Sequence, residues 1–262
     1  MRQKKALALS EPEEEARARV EAFLGVPVVQ HDDQTAPSMP DLRIEYTDRD
    51  RGAVEVVRDA QPQAVELSNA IGANGYREDV PGVARIWTAQ LHPQARVRRV
   101  WAQLPALLAE LERLGLRELT GSPFHFNPLE YQLFQMGVEH VLGGDGPTSA
   151  IALCGAVGVA WDGSYDFLGQ WASTVLQENA DVASKLSRSG FAERHAYIYA
   201  TVAGDMTAYR ALMDKPLPGS AEVVGGLPAS DPVLPDGVDA LWLSGLGRTI
   251  VWLPERGWLN VP

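Results

Sequence analysis

The sequence predicts an α/β fold with a large insertion and a C-terminal β-hairpin. Three observations carry this. Two runs near residues 41–46 and 52–57 alternate in polarity as strands do, helix-period segments precede and follow them, and the composition is that of an ordinary globular chain, with 45% hydrophobic and 22% charged residues among 262. A chain of this length buries a substantial core. It reads as a single domain over 1–262, with an insertion at 93–165, a Pro/Gly-rich linker at 216–235 and a terminal hairpin at 236–262.

The first helix is expected to open at Ser10, a good N-cap, with Pro12 in its first turn and Glu13, Glu14 and Glu15 at the positive end of the helix dipole. Gly25 should stop it. Residues 26–40 read as a polar, proline-bearing connection. A hairpin follows, in which period-2 alternation puts Asp41, Arg43 and Glu45 on one face of the first strand and Ala53, Glu55 and Val57 on one face of the second. Residues 62–73 read as a helix and 83–91 as a third strand. The clearest amphipathic helix runs over 97–114, with Val100, Leu104, Leu107, Leu108, Leu111 and Leu114 at helical spacing. From Gly121 the pattern is less regular, with a short helix over 129–136. Strands are expected over 138–142 and 149–161, joined by the turn-forming Gly143-Gly144-Asp145-Gly146. A long helix over 166–189, capped by Gly190, leads into a strand over 195–202. The closing hairpin pairs 240–244 with 249–253 around Gly245-Leu246-Gly247.

The net charge of -11 comes mainly from the second half: residues 1–120 carry 16 basic and 19 acidic side chains, 121–262 carry 7 and 15. Generic adhesion to nucleic acid, which rests on neutralising phosphates, is therefore disfavoured. Arg96, Arg98 and Arg99 could form a local basic groove or simply solvate the first turn of a helix. The acidic half suits a basic protein partner. Cys154 is the one cysteine and lies in an apolar run, as a buried structural thiol would. No apolar stretch has the length of a signal peptide or a membrane span, so the expectation is a cytoplasmic protein without a membrane partner.

The best acidic pair is Asp41 and Glu55. If their strand faces coincide, they bring carboxylate oxygens to one hard cation such as magnesium, which prefers oxygen ligands and keeps several waters. The stretch Pro40-Asp41, the acid Glu55 on the next strand, and the order helix, three strands, insertion, helix and strand together resemble the restriction-endonuclease-like core, the PD-(D/E)xK family, which implies a short mixed sheet flanked by helices. The resemblance covers residues 11–60 by motif and order, and 82–92 with 166–204 by order alone. It implies metal binding at Asp41 and Glu55 and a magnesium-dependent phosphodiesterase acting on nucleic acid, or a descendant that kept the fold and lost cleavage. It also implies a lysine two residues after Glu55, where this chain has Val57. A family role for a first-helix glutamate would fall on Glu14, Glu15 or Glu21. The stretches 234–243 and 251–258, and Glu193-Arg194-His195, are further similar to uncharacterised proteins of high-GC Gram-positive bacteria, a likeness that implies no reaction.

Val57 can neither carry a proton nor stabilise phosphorane charge. Of the four lysines, Lys4, Lys5, Lys185 and Lys215, only Lys185 lies in an expected core element. It is the candidate for a migrated catalytic lysine, weighed against an ordinary solvated helix lysine. Arg58 is a weaker substitute because alternation turns it away from Glu55. His125 and His195 are candidate general bases, set against packed histidines, and a cleft near His125 and Trp161 would suit a small-molecule enzyme. His31, His92 and His140 lack partners at zinc-ligand spacing. Asp162 and Asp166 read as a loop turn and an N-cap. The glycines at 155–158 and 143–146 do not match dinucleotide or phosphate loops, and Ser244 has no nucleophile elbow around it.

Overall fold

Ser10 opens the first helix and Gly25 closes it, as local chemistry dictates. In the computed structural model, which describes residues 8–32, 39–124, 126–145, 149–155, 164–215 and 225–262, α1 spans Glu11–Leu24. The Ser10 amide donates to the Glu13 carboxylate at 2.6 Å, and Gly25 takes the left-handed conformation (φ 68°) that ends the helix. The described residues group into two units, one drawn from Met1–Asp59, Ala160–Thr201 and Thr207–Pro262, the other from Ala60–Val159 and Val202–Met206.

The first unit is built on a mixed sheet. Its strands are β1 (Val28–Gln30), β2 (Leu42–Ile44) and β3 (Gly52–Asp59), then, after the second unit's strands β4 to β8 in chain order, β9 (Glu193–Ala200), β10 (Ala240–Ser244), β11 (Thr249–Leu253) and β12 (Gly257–Val261). They lie in the order β1-β2-β3-β9-β10-β11-β12. β1, β2 and β3 form an antiparallel meander. β3 runs parallel to β9 over eight residue pairs, Gly52↔Glu193 to Asp59↔Ala200, and β9 runs parallel to β10.

One face of this sheet is covered by α1, with Ala16 and Val20 packed against Leu42, Ile44, Val54, Tyr197 and Trp242. Helices α5 (Phe167–Glu178) and α6 (Ala180–Arg188) share a second core with Ala53, Val57, Ala196 and Ile198. The alternation of β3 sorts its residues between the two, Val54 to the first and Ala53 and Val57 to the second.

Three expectations are corrected here. Residues 26–40 hold a strand, because Val28 faces the α1 core and β1 pairs with β2 from Val28↔Ile44 to Gln30↔Leu42. The strand read at 83–91 is β5 (Ile86–Leu91), and it belongs to the second unit's sheet, where Trp87, Ala89 and Leu91 enter a separate core. The helix read over 166–189 is broken at Asn179 (φ −114°, ψ 56°), whose side-chain amide donates to the Val175 carbonyl at 2.8 Å and competes with the backbone ladder. The closing hairpin keeps its expected register, Ser244↔Thr249 to Leu241↔Trp252, and gains β12 as a third strand.

The second unit's sheet has the order β4-β8-β5-β7-β6, with β4 (Arg77–Asp79), β6 (Glu118–Thr120), β7 (Val138–Gly144) and β8 (Ala150–Cys154) around β5. β7 and β8 follow one another in the chain, and β5 lies between them in the sheet, antiparallel to β7 and parallel to β8. Helices α2 (Pro62–Asn74), α3 (Val97–Arg113) and α4 (Pro128–Met136) supply the rest of its core. Cys154 is half-buried at the end of β8, with its thiol 3.5 Å from the Ala89 carbonyl.

Trp242 tests the first core. It is fully buried, packs edge-on against Phe23 at 5.4 Å, and donates its indole N–H to His195 Nδ1 at 2.9 Å. Trp242→Ala is expected to cost about 3–5 kcal/mol in urea unfolding. A loss below about 1 kcal/mol would show that the α1 core does not depend on it.

Candidate functional site

The antiparallel register of β2 and β3, Leu42↔Val54 and Arg43↔Ala53, continues outward to place Asp41 opposite Glu55. Backbone bonds fix both. The Asp41 amide donates to Glu55 Oε2 at 3.2 Å, and the Val56 amide donates to Asp41 Oδ2 at 2.8 Å. Glu55 stands between Ala53 and Val57 on the face that α6 covers and is 3% exposed.

The α6 helix buries Val182 and Leu186, and helical geometry puts Lys185 at the edge of that stripe. Its stem follows the apolar surface and its amine donates to Glu55 Oε1 at 2.5 Å. Asp181, one turn earlier, lies 3.9 Å from the same amine. The structure thus brings Asp41, Glu55 and Lys185 together, while Val57 is packed in the core and Arg58 is exposed.

One ammonium serves two carboxylates. Burial raises Asp41 to about 6, and Glu13 and Asp32 push the same way against the opposing pull of the Val56 amide and Lys185. Burial and then the charge of Asp41 raise Glu55 to about 7, in spite of its bond to Lys185. Burial by itself would lower the Lys185 amine, yet Glu55 and the neighbouring acids hold it above the ordinary lysine range.

Sequence reasoning missed Glu13. Glu14 is paired with Arg17, Glu15 accepts from the Ser244 hydroxyl at 2.7 Å, and Glu21 accepts from the Val28 amide at 3.0 Å. Glu13 instead lines, with Gln30, Asp32 and Asp41, a cavity of about 260 Å³. The signal available in sequence was the spacing Ser10-x-x-Glu13, a capping box that turns this side chain back towards the start of the helix.

Two carboxylates are the kind of donor a hard cation takes, and of the two Asp41 lines the cavity while Glu55 is buried behind it. Magnesium takes one or two carboxylates, both acids retain lone pairs beyond the bonds described, and the space beside Asp41 has room for several waters. A cation needing three or more protein side chains is not matched: among the described residues no three His, Cys, Asp or Glu side chains group to hold a metal ion.

His195 lies apart from these acids. It is fully buried, its Nδ1 accepts from Trp242, and its Nε2 stands 3.5 Å from Glu193, so it is a packed histidine in the described contacts. His31 packs edge-on against Phe191 and His140 bonds Glu118 at 2.9 Å. Asp166 occupies the N-cap position of α5, but its carboxylate accepts from the Ala229 amide at 2.6 Å. His125, Trp161 and Asp162 lie outside the described residues. No described helix is long and apolar enough to cross a membrane.

The chain matches no family model, no curated protein and no solved structure.

The site makes stability depend on pH. An acid with a raised folded-state pKa binds its proton more tightly in the folded chain, so its contribution is full below the unfolded value near 4 and is lost as pH rises through 6 to 7. Asp41→Asn keeps an acceptor for the Val56 amide and removes the buried charge. In urea unfolding it should exceed the wild type by about 1–2 kcal/mol near pH 8, with the difference vanishing near pH 4. A variant less stable than the wild type at pH 8 would sink this account of the site.

Proposed function

We propose that the first unit is a degenerate PD-(D/E)xK-like nuclease core, a magnesium-dependent phosphodiesterase acting on nucleic acid, in which Lys185 on α6 takes the role that Val57 cannot. The observation that carries this reading is the Lys185 Nζ to Glu55 Oε1 bond of 2.5 Å. It sets a cation beside the two acids that the motif nominates. The order α1, β1, β2, β3, then α5, α6 and a β9 parallel to β3 supports the same ancestry.

In this reading Asp41 and Glu55 hold the metal. Bound magnesium supplies charge neutralisation and a more acidic water. Lys185 has three N–H donors, and its bond to Glu55 leaves two for an oxygen of the scissile phosphate, where charge grows in the transition state. The raised carboxyls of Asp41 and Glu55 make metal binding pH-dependent, since both must ionise to act as ligands. Metal affinity should therefore rise from pH 5 to pH 8.

A second reading, a descendant without cleavage, is favoured by the same ion pair: an ammonium seated on Glu55 already supplies part of the positive charge that a metal would bring. The two readings part on one experiment. Magnesium and manganese binding is measured by calorimetry on the wild type and on Asp41→Ala/Glu55→Ala, alongside cleavage of single- and double-stranded DNA and RNA. The nuclease reading expects metal binding and cleavage that the double variant loses, and a Lys185→Ala rate lower by about a hundredfold or more. Absence of cleavage on every substrate favours the inactive descendant. Metal-dependent cleavage that survives the double variant would place the chemistry elsewhere.

A further inference from the structure

The second unit contains a cavity of about 720 Å³ between the start of α3 and the strands β6 and β7, within the size range of small-molecule sites. Its lining mixes apolar and polar side chains. Phe134, Met136, Val138 and Pro123 give it an apolar side, and Arg96 and Arg99 stand at its rim.

The arginines are what give the cavity a chemical preference. Arg17, Arg113 and Arg117 each pair with a carboxylate. Among the described residues the Arg96 side chain makes no hydrogen bond or ion pair, and the Arg99 guanidinium has only a long bond of 3.4 Å to Gln103. The acid in the cavity wall, Glu139, is held by the Gln90 amide at 2.7 Å. Two guanidiniums beside an apolar wall match a ligand with an anionic head and a flat apolar body. Guanidinium donors fit carboxylate and phosphate oxygens in pairs, and covering the apolar wall adds affinity in proportion to the area removed from water. A neutral apolar ligand would desolvate the arginines without a partner, and a cation would meet two guanidiniums against the one carboxylate of Glu139.

We infer that this cavity is a binding site for a small amphipathic anion, a carboxylate or phosphate carried on a flat apolar body. It is independent of the acids of the first unit. The close approach of backbone around it is enforced by glycine: a Cβ on Gly121 would lie 2.3 Å from the Val138 carbonyl oxygen, and one on Gly137 would lie 3.0 Å from Ala95. Ala95, Gly121 and Gly137 all line the cavity, so its wall is formed by tightly seated backbone.

The test titrates the full chain with 8-anilinonaphthalene-1-sulfonate, an anion on a flat apolar body, and follows its fluorescence at low ionic strength. The expected result is saturable binding to one site, weakened at least tenfold by Arg96→Glu/Arg99→Glu and changed less than twofold by Arg98→Glu. Arg98 is on the same helical turn but is not among the residues that line the cavity. All three arginines are exposed, and acidic residues suit the first turn of a helix, so these variants should keep their fold, checked by circular dichroism. Phenyl phosphate and phenylacetate then compete with the probe, and the better competitor identifies the head group. Absence of saturable binding, an unchanged affinity in the double variant, an equal loss in Arg98→Glu, or displacement by neither competitor would overturn the proposal.

Discussion

The parallel pairing of β3 with β9 is the constraint on which the first unit depends. Parallel neighbours cannot be joined by a tight turn and need a crossover. Here the chain between Asp59 and Glu193 supplies it, and its last part, α5 and α6, covers the β3 face that carries Ala53, Glu55 and Val57. The same register that aligns Glu55 with Ala196 brings α6 over Glu55, because Val182 and Leu186 pack against residues of both strands. Lys185 reaches a carboxylate only because this packing fixes the helix above it. The second unit is spliced into the chain before α5, which the pairing tolerates because loop-closure entropy grows slowly with length.

Much of this frame was legible in sequence, for particular reasons. Gly52 to Val57 alternates strongly because each of its faces enters a different apolar core, and the hairpin nominates Asp41 and Glu55 while leaving open whether their faces coincide, which the β2–β3 register decides. Lys185 stood out by elimination, in a chain with four lysines. What the sequence hid was short or dependent on partners far away in the chain. β1 is three residues long and follows α1 closely, so its alternation is too brief to read and its burial depends on α1 folding over it. β5 alternates as clearly as β3, with buried Trp87, Ala89 and Leu91, and nothing local says which sheet it joins. Glu13 was passed over because its capping role, which is local, gives no hint that the start of α1 lies beside Asp41.

The candidate site also runs against stability. Glu55 is nearly fully buried on a strand face whose neighbours Ala53 and Val57 are apolar, and an apolar residue there would avoid desolvating a carboxylate. Its partner lysine does not settle the account, since buried ion pairs often stabilise no better than well-packed hydrophobic residues of similar volume. Asp41 adds a second carboxylate that the one ammonium cannot neutralise, and Glu13 and Asp32 add further negative potential.

That imbalance has a direction. The raised Asp41 and Glu55 carboxyls mean that the site is short of positive charge near neutral pH, and it can meet the shortage in two ways: by keeping a proton or by taking a cation. A proton suits a site that is merely tolerated. A cation uses the features that otherwise look like costs, because burial strengthens its attraction to the carboxylates, the fixed backbone bonds spare reorganisation, and the adjoining cavity leaves room for its waters. Lys185 is compatible with either, since its ammonium can remain on Glu55 while that carboxylate keeps further lone pairs. The features that cost stability as packing are the ones a bound cation would use, and this is the physical reason for reading the first unit through Asp41 and Glu55.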